Sequence, residues 1–143
     1  MILADVNVLV YAYRVDADRH NEYRAWLAGV INGHPAYGFS ELILSGFVRV
    51  VTNPRIFNSP TKIGDALGFA DLLRRQPNAV AIAPGTRHWD IFRNLCQAAA
   101  ARGNLVPDAY LAALAIEAGS EWITADRDYS RFPGLKWRHP LSD

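Results

Sequence analysis

Four carboxylates stand where apolar, strand-like segments give way to a helix-like segment or a turn. They are Asp5 after residues 1–4, Glu41 after residues 36–40, Asp108 at the head of a helical run, and Asp126 after residues 121–125. In an open α/β sheet such junctions share one edge, where ligands bind. Acids gathered there repel one another unless cations join them. Oxygen-only ligands favour Mg²⁺ or Mn²⁺, and such ions commonly serve phosphate chemistry.

Neutral and acidic neighbours extend this pattern. Asn7 follows Asp5 by two residues, and Thr124 precedes Asp126 by two. A short amide or hydroxyl near a metal can orient a carboxylate or a water without adding repulsion, so both are predicted to support the site. Asp128 is a candidate fifth acid that would reach the metals through water. Holding the turn at 126–128 is an equally good interpretation of Asp128.

Each acid also has an ordinary structural explanation. Asp5 could cap the helix that follows it, and Asp126 could hold a turn. Glu41 and Asp108 fall in first helical turns, where negative charge offsets the helix dipole. Four such coincidences at one edge favour a shared site. Other acids within helical runs are predicted to be solvated; they are Asp71, Asp90 and Glu117.

The bulk composition limits the class of protein. The chain has 143 residues, half of them hydrophobic, which predicts one domain over residues 1–143 with a real core. No apolar run approaches the roughly 18 residues that a membrane span needs, and the N-terminus lacks the basic start of a signal peptide. A soluble, cytoplasmic protein is therefore expected. The single cysteine, Cys96, excludes an internal disulfide and a cysteine-based zinc site.

The charge is nearly balanced but unevenly placed. The chain carries 15 basic and 14 acidic residues, for a net charge of +1. Without the four acids above, the remainder has an excess of five positive charges. Thirteen of the basic residues are arginines, which bind phosphates and stack on bases. The composition is consistent both with RNA binding and with a solvated surface from an arginine-biased genome.

Strand-like and helix-like segments alternate along the chain, which predicts an α/β fold with a mostly parallel sheet covered on both faces. Ser40 is a good N-cap, and Gly103 is predicted to end a helix. Strands are predicted at 1–5, 36–39, 79–82, 122–124 and 136–138. Helices are predicted at 6–13, 20–31, 41–51, 62–76, 88–102 and 107–118.

Other phosphate-handling sites lack their signatures. The chain has no phosphate-binding glycine loop, and its four histidines show no metal-binding spacing. Receiver domains and haloacid-dehalogenase-like phosphatases place a lysine near their acids. The phosphatases also require an Asp-x-Asp motif near the N-terminus. Here Asp5 is followed by Val6 and Asn7, and only Lys62 and Lys136 are present.

Four motifs together resemble the PIN domain, and more closely the VapC toxins of bacterial VapBC toxin–antitoxin pairs. They are DVNVL at 5–9, SE at 40–41, VPDA at 106–109 and TADRD at 124–128. The resemblance covers essentially the whole chain, and none of the four acids is missing.

The resemblance implies a three-layer α/β/α sandwich and a Mg²⁺- or Mn²⁺-dependent endoribonuclease that cleaves tRNA, rRNA or mRNA. It implies that Asp5, Glu41, Asp108 and Asp126 bind metal and catalyse, with Asn7, Thr124 and, less securely, Asp128 in support. A VapB-type antitoxin and a homodimer are the expected partners. Two alternatives stay open: a PIN-fold RNA-processing nuclease without a toxin role, and a non-catalytic RNA-binding module.

Overall fold

The computed structural model describes residues 1–142, in which five strands alternate with six α-helices. The strands are β1 (Ile2–Ala4), β2 (Tyr37–Phe39), β3 (Ala79–Ala81), β4 (Glu121–Ile123) and β5 (Trp137–Arg138). The α-helices are α1 (Val6–Tyr13), α2 (His20–Asn32), α3 (Glu41–Val51), α4 (Ile63–Arg75), α5 (His88–Ala98) and α6 (Leu105–Glu117). A 3₁₀ helix spans Arg127–Arg131. No helix within residues 1–142 is long and apolar enough to cross a membrane.

The strands form one sheet in the order β3-β2-β1-β4-β5, and every neighbouring pair is parallel. Because β1, β2 and β4 are adjacent, their carboxyl ends meet at the centre of one edge. Asp5 follows β1, Glu41 follows β2 after one residue, and Asp126 lies three residues beyond β4. The predicted α/β/α fold with a parallel sheet is confirmed.

Packing in the core explains why a sheet of such short strands is stable. Leu3 on β1 and Trp122 on β4 are paired in register, and each is at most 1 % exposed. Phe47 on α3 is fully buried and packs edge-on against Tyr13 of α1. Helices α1 to α4 form one connected set of contacts, whereas α5 packs on α6, which contacts β4.

One helix ends earlier than its sequence pattern predicts. Helix α5 stops at Ala98, where Ala100 takes a left-handed conformation and the Ala101 N–H bonds back to the Cys96 carbonyl. Gly103, predicted to end α5, instead lies in the turn that precedes α6. The prediction was wrong because residues 98–101 are all alanine, a strong helix former that marks no boundary.

Glu117 corrects a second prediction. Its carboxylate is not simply solvated, because it accepts hydrogen bonds from the backbone N–H of Gly85 at 2.6 Å and of Arg87 at 3.0 Å. These bonds lower the Glu117 pKa and fasten the loop before α5 to the end of α6. A Cβ at Gly85 would lie 2.7 Å from the carboxylate, so a larger residue there would force the Glu117 side chain to move.

Candidate active site at the carboxyl edge of the sheet

Asp5 is the buried centre of the candidate site. It is 6 % exposed and extends β1 by donating its N–H to the Ile123 carbonyl at 2.8 Å. One carboxylate oxygen, Oδ1, accepts the Val6 N–H at 2.7 Å and so caps α1. The other, Oδ2, accepts the Thr124 hydroxyl at 2.7 Å. The Asp5 side chain therefore both caps α1 and belongs to the candidate site.

Thr124 links the ends of β1 and β4. Its fully buried hydroxyl donates to Asp5 and accepts the backbone N–H of Asp126 at 3.0 Å. The Asn7 amide lies 3.5 Å from the same hydroxyl, and its oxygen accepts the Ala125 N–H at 3.4 Å. The structure thus brings together both residues that were predicted to support the acids.

Asp126 and Asp128 lie at the start of the 3₁₀ helix. The Asp126 carboxylate accepts the Asp128 N–H at 2.9 Å, which caps that helix. Asp126 is half-buried, whereas Asp128 is exposed. Asp126 therefore faces the site with its backbone held by Thr124, and Asp128 lies at its outer margin.

Asp108 approaches the site from the first turn of α6. Its carboxylate accepts a hydrogen bond from the Tyr129 hydroxyl at 3.2 Å. Tyr129 is 2 % exposed and packs against the Trp122 ring at 5.3 Å. Burial and the neighbouring aspartates raise the Tyr129 pKa far above its usual value, so the phenol keeps its proton and remains a donor.

The electrostatics show that three aspartates share one environment. Burial is the main reason that the Asp5 pKa rises from 3.8 to about 6, and the charges of Asp108 and Asp126 raise it further. The Thr124 hydroxyl and the Val6 N–H oppose this rise. The Asp108 pKa is also raised, first by burial and then by Asp126 and Asp128, while the bond from Tyr129 lowers it.

Glu41 stands apart from the aspartates. It begins α3 at the predicted edge, but its carboxylate is 79 % exposed and pairs with the Arg74 guanidinium at 3.2 Å. Ser40 occupies the N-cap position before it, yet its side chain makes no capping hydrogen bond. The sequence pattern located Glu41 along the chain but gave no sign of Arg74, which reaches it from the last turn of α4.

The donor chemistry of this site fits a hard divalent cation. All candidate ligands are oxygens. Burial first, and the charges of neighbouring aspartates second, raise the pKa values of Asp5 and Asp108, and a bound cation would offset both effects. As placed within residues 1–142, no three Asp, Glu, His or Cys side chains converge as a ready metal-binding group. The assignment of Asp5, Glu41, Asp108 and Asp126 as metal ligands therefore stays a prediction.

Tyr129 and Arg74 are the site residues that the sequence did not reveal. Tyr129 directly follows the acidic turn, but an aromatic residue there is typical of a core position and carries no polar signature. Arg74 lies 33 residues from its partner and is one of 13 arginines. Only the three-dimensional packing singles out either side chain.

Comparison with known proteins identifies the class. The PIN domain family matches residues 2–135. The chain is similar to ribonuclease VapC43 of Mycobacterium tuberculosis, with 46 % identity over 99 % of this chain and 96 % of that protein. It is also similar to ribonuclease VapC25 of the same species, with 36 % identity over 98 % of this chain and 99 % of that protein. The chain belongs to the PIN-domain family and, within it, to the VapC group.

Solved structures share the fold at low sequence identity. VapBC2 from Rickettsia felis, bound to a DNA fragment from its promoter, aligns with a TM-score of 0.69 at 18 % identity, covering 97 % of this chain and 98 % of that one. VapC20 of M. tuberculosis, a toxin that cleaves the sarcin–ricin loop, aligns with a TM-score of 0.65 at 16 % identity, covering 95 % and 99 %.

Proposed function

We propose that the chain is a Mg²⁺- or Mn²⁺-dependent endoribonuclease, acting in the cytoplasm as the toxin of a type II toxin–antitoxin pair. One observation carries this proposal: Asp5, Asp108 and Asp126 share a partly buried edge of a VapC-type fold, with Thr124 joining two of them. The names of the similar proteins support RNA as the substrate class and cleavage as the activity. Its targets would be tRNA, rRNA or mRNA.

The aspartates and Glu41 would hold the ion, and Asn7 and Thr124 would keep the carboxylates oriented. When bound, the divalent ion would polarise the scissile phosphate and lower the pKa of the attacking water. Asp126 or Glu41 would orient that water or take its proton, because both carboxylates are more open to solvent than Asp5. Tyr129 would hold Asp108 in place by donating a hydrogen bond to its carboxylate, and Asp128 would act from the outer margin.

The first prediction concerns the ends of the cut RNA. In-line attack by water should expel the 3′ oxygen and leave a 3′-hydroxyl and a 5′-phosphate, so fragments should ligate to an adapter that requires a 5′-phosphate. Cleavage should stop in EDTA and return with excess Mg²⁺ or Mn²⁺. The Asp108→Asn chain should not cleave RNA under either condition. Cyclic phosphates with 5′-hydroxyl ends, or full activity in EDTA, would refute the metal-and-water mechanism.

The second prediction concerns the toxin role and its partner. The solved neighbours include VapBC2 and a toxin–antitoxin complex from Klebsiella pneumoniae, which supports a VapB-type antitoxin for this chain. We propose a homodimer as the second partner. Expression of the wild-type chain should arrest bacterial growth, and co-expression of the antitoxin from the adjacent gene should restore it. An inhibitory segment should bury apolar side chains and set a basic residue against the aspartates.

The Asp108→Asn chain is the matched control for the growth experiment, because it preserves shape and removes one charge. Two alternatives predict different results. An RNA-processing nuclease without a toxin role would cleave RNA but leave growth unchanged. A non-catalytic RNA-binding module would slow growth equally with the wild-type and Asp108→Asn chains, and purified protein would not cut RNA.

A further inference from the structure

A groove of about 460 Å³ adjoins the candidate active site at the β5 side of the sheet. We name it the cationic groove after its basic and aromatic lining residues, Arg19, Arg127, Trp137, Arg138 and His139. Arg127 directly follows Asp126, and the Arg138 carbonyl accepts the Thr124 N–H at 3.1 Å. Residues adjacent to Asp126 and Thr124 therefore line the groove, which places it beside the aspartates on the carboxyl edge of the sheet.

The basic groups of the groove lie close enough to interact. Burial lowers the His139 pKa first, and the nearby positive charges of Arg19 and Arg127 lower it further. His139 is fixed between its partners, because its Nε2 lies 3.2 Å from the Tyr23 hydroxyl and its Nδ1 accepts the Leu141 N–H at 3.1 Å. A neutral His139 would thus form part of the groove wall, while the arginines supply the positive charge of the groove.

The arginines differ in how free they are. Arg127 is exposed and forms no ion pair within residues 1–142. Arg19 pairs with Glu22 at 2.8 Å, but both side chains are about half exposed, and such surface pairs are weak because water and salt screen them. Arg138 pairs with Glu121 at 2.9 Å and is partly neutralised. An incoming phosphate can therefore displace Glu22 from Arg19. At Arg127 no carboxylate within residues 1–142 forms an ion pair that the phosphate would have to displace.

We propose that the cationic groove holds the RNA strand on one side of the scissile phosphate, with Arg127 and Arg19 contacting successive stretches of backbone and Trp137 offering an aromatic surface to a base. This inference rests on the proposed nuclease function. A single RNA strand suits the groove because phosphates seek arginine, and bases stack on aromatic rings without regard to sequence. Because Arg127 directly follows Asp126, a strand bound at Arg127 would lie near the aspartates.

The test compares RNA affinity in variants that keep the local backbone. Arg19 has φ of 56°, a left-handed conformation that asparagine tolerates well, so Arg19→Asn is the suitable change there. Arg127→Gln removes the second charge. The matched control is Arg75→Gln, because Arg75 is also exposed and paired on its own helix, with Asp71 at 3.5 Å. It lies on α4, which leads into the opposite edge strand β3.

Binding of a fluorescent single-stranded RNA is measured by anisotropy over a series of KCl concentrations, with every chain carrying Asp5→Asn to prevent cleavage. Loss of two phosphate contacts should weaken binding about tenfold and reduce the slope of log K against log salt by about 1.4, at roughly 0.7 per contact for single strands. In chains that keep Asp5, the double variant should raise KM while kcat at saturating RNA changes little. Arg75→Gln should match the wild type.

Three outcomes decide the question. If the wild-type chain cleaves RNA but the double variant binds RNA with unchanged affinity and salt slope, the groove proposal fails and the nuclease function stands. If the double variant loses affinity for the antitoxin encoded by the adjacent gene and not for RNA, the groove is a protein-binding site and the proposal is overturned. A wild-type chain that neither binds nor cleaves RNA overturns both proposals.

Discussion

Asp5→Asn should lose at least about 100-fold in RNA cleavage while the metal-free protein becomes more stable. Disturbing a residue that only supports a metal ligand already costs about 10- to 100-fold, so removing the charge of a central carboxylate should cost at least that much. The gain in stability follows from burial: Asp5 is 6 % exposed, and its pKa of about 6 shows that the folded protein resists its ionisation. Asparagine keeps the oxygen that caps α1.

The size of the stability effect follows from the pKa. Each pKa unit is worth about 1.4 kcal/mol, so a rise from 3.8 to about 6 corresponds to roughly 3 kcal/mol. The folded state holds the Asp5 proton more tightly than the unfolded state does. The wild-type protein should therefore lose stability in EDTA as pH rises from about 4 to about 6, and the penalty should be complete above pH 6.

Urea unfolding in EDTA measures this prediction. Asp5→Asn should exceed the wild type by up to about 3 kcal/mol at pH 7.5 and by much less at pH 4. The control is Asp90→Asn, since Asp90 is an exposed acid in the first turn of α5. Its loss should leave cleavage unchanged and lower stability slightly at pH 7.5, because it removes a favourable interaction with the helix dipole and so changes stability in the opposite direction from Asp5→Asn. Equal stability of the wild type and Asp5→Asn at both pH values would show that Asp5 carries no burial penalty.

The position of the site along the chain was predictable because parallel strands impose it. Once β1, β2 and β4 are adjacent and parallel, any residue that closely follows one of them must come to the same edge. Alternating strand and helix patterns predicted that arrangement. The motif at 124–128 also separated Thr124 from Asp126 by two residues, which is the spacing that lets the hydroxyl accept the Asp126 N–H.

What could not be predicted depends on the directions of side chains across the fold. Glu41 reaches the predicted edge, but an arginine 33 residues away holds its carboxylate in solvent. Trp122 and Phe132 pack against the Tyr129 ring and so hold its hydroxyl at Asp108. The early end of α5 is set by a left-handed alanine, which the intrinsic preference of alanine argues against. None of these features can be recognised from the periodicity or the composition of the sequence.

Thr124→Val should destabilise the protein by about 3 kcal/mol and lower RNA cleavage about 10- to 100-fold. Valine has nearly the shape of threonine, so packing is retained while the buried hydroxyl is lost. Asp5 Oδ2 would lose its donor and the Asp126 N–H its acceptor, and each unsatisfied buried group costs about 1–3 kcal/mol. The Asp5 pKa should rise further, because the Thr124 hydroxyl now lowers it.

Thr124→Ser separates the hydroxyl from the methyl group. Serine keeps both hydrogen bonds and loses one buried methyl, so it should cost only about 1 kcal/mol and retain most of the cleavage. Unfolding at pH 7.5 and the pH profile of cleavage are measured for the three chains. The valine variant should require a higher pH for half-maximal activity than the serine variant does, because its Asp5 remains protonated to higher pH. If valine and serine behave alike in both measurements, Thr124 fills space between β1 and β4 and does not hold Asp5 and Asp126 for chemistry.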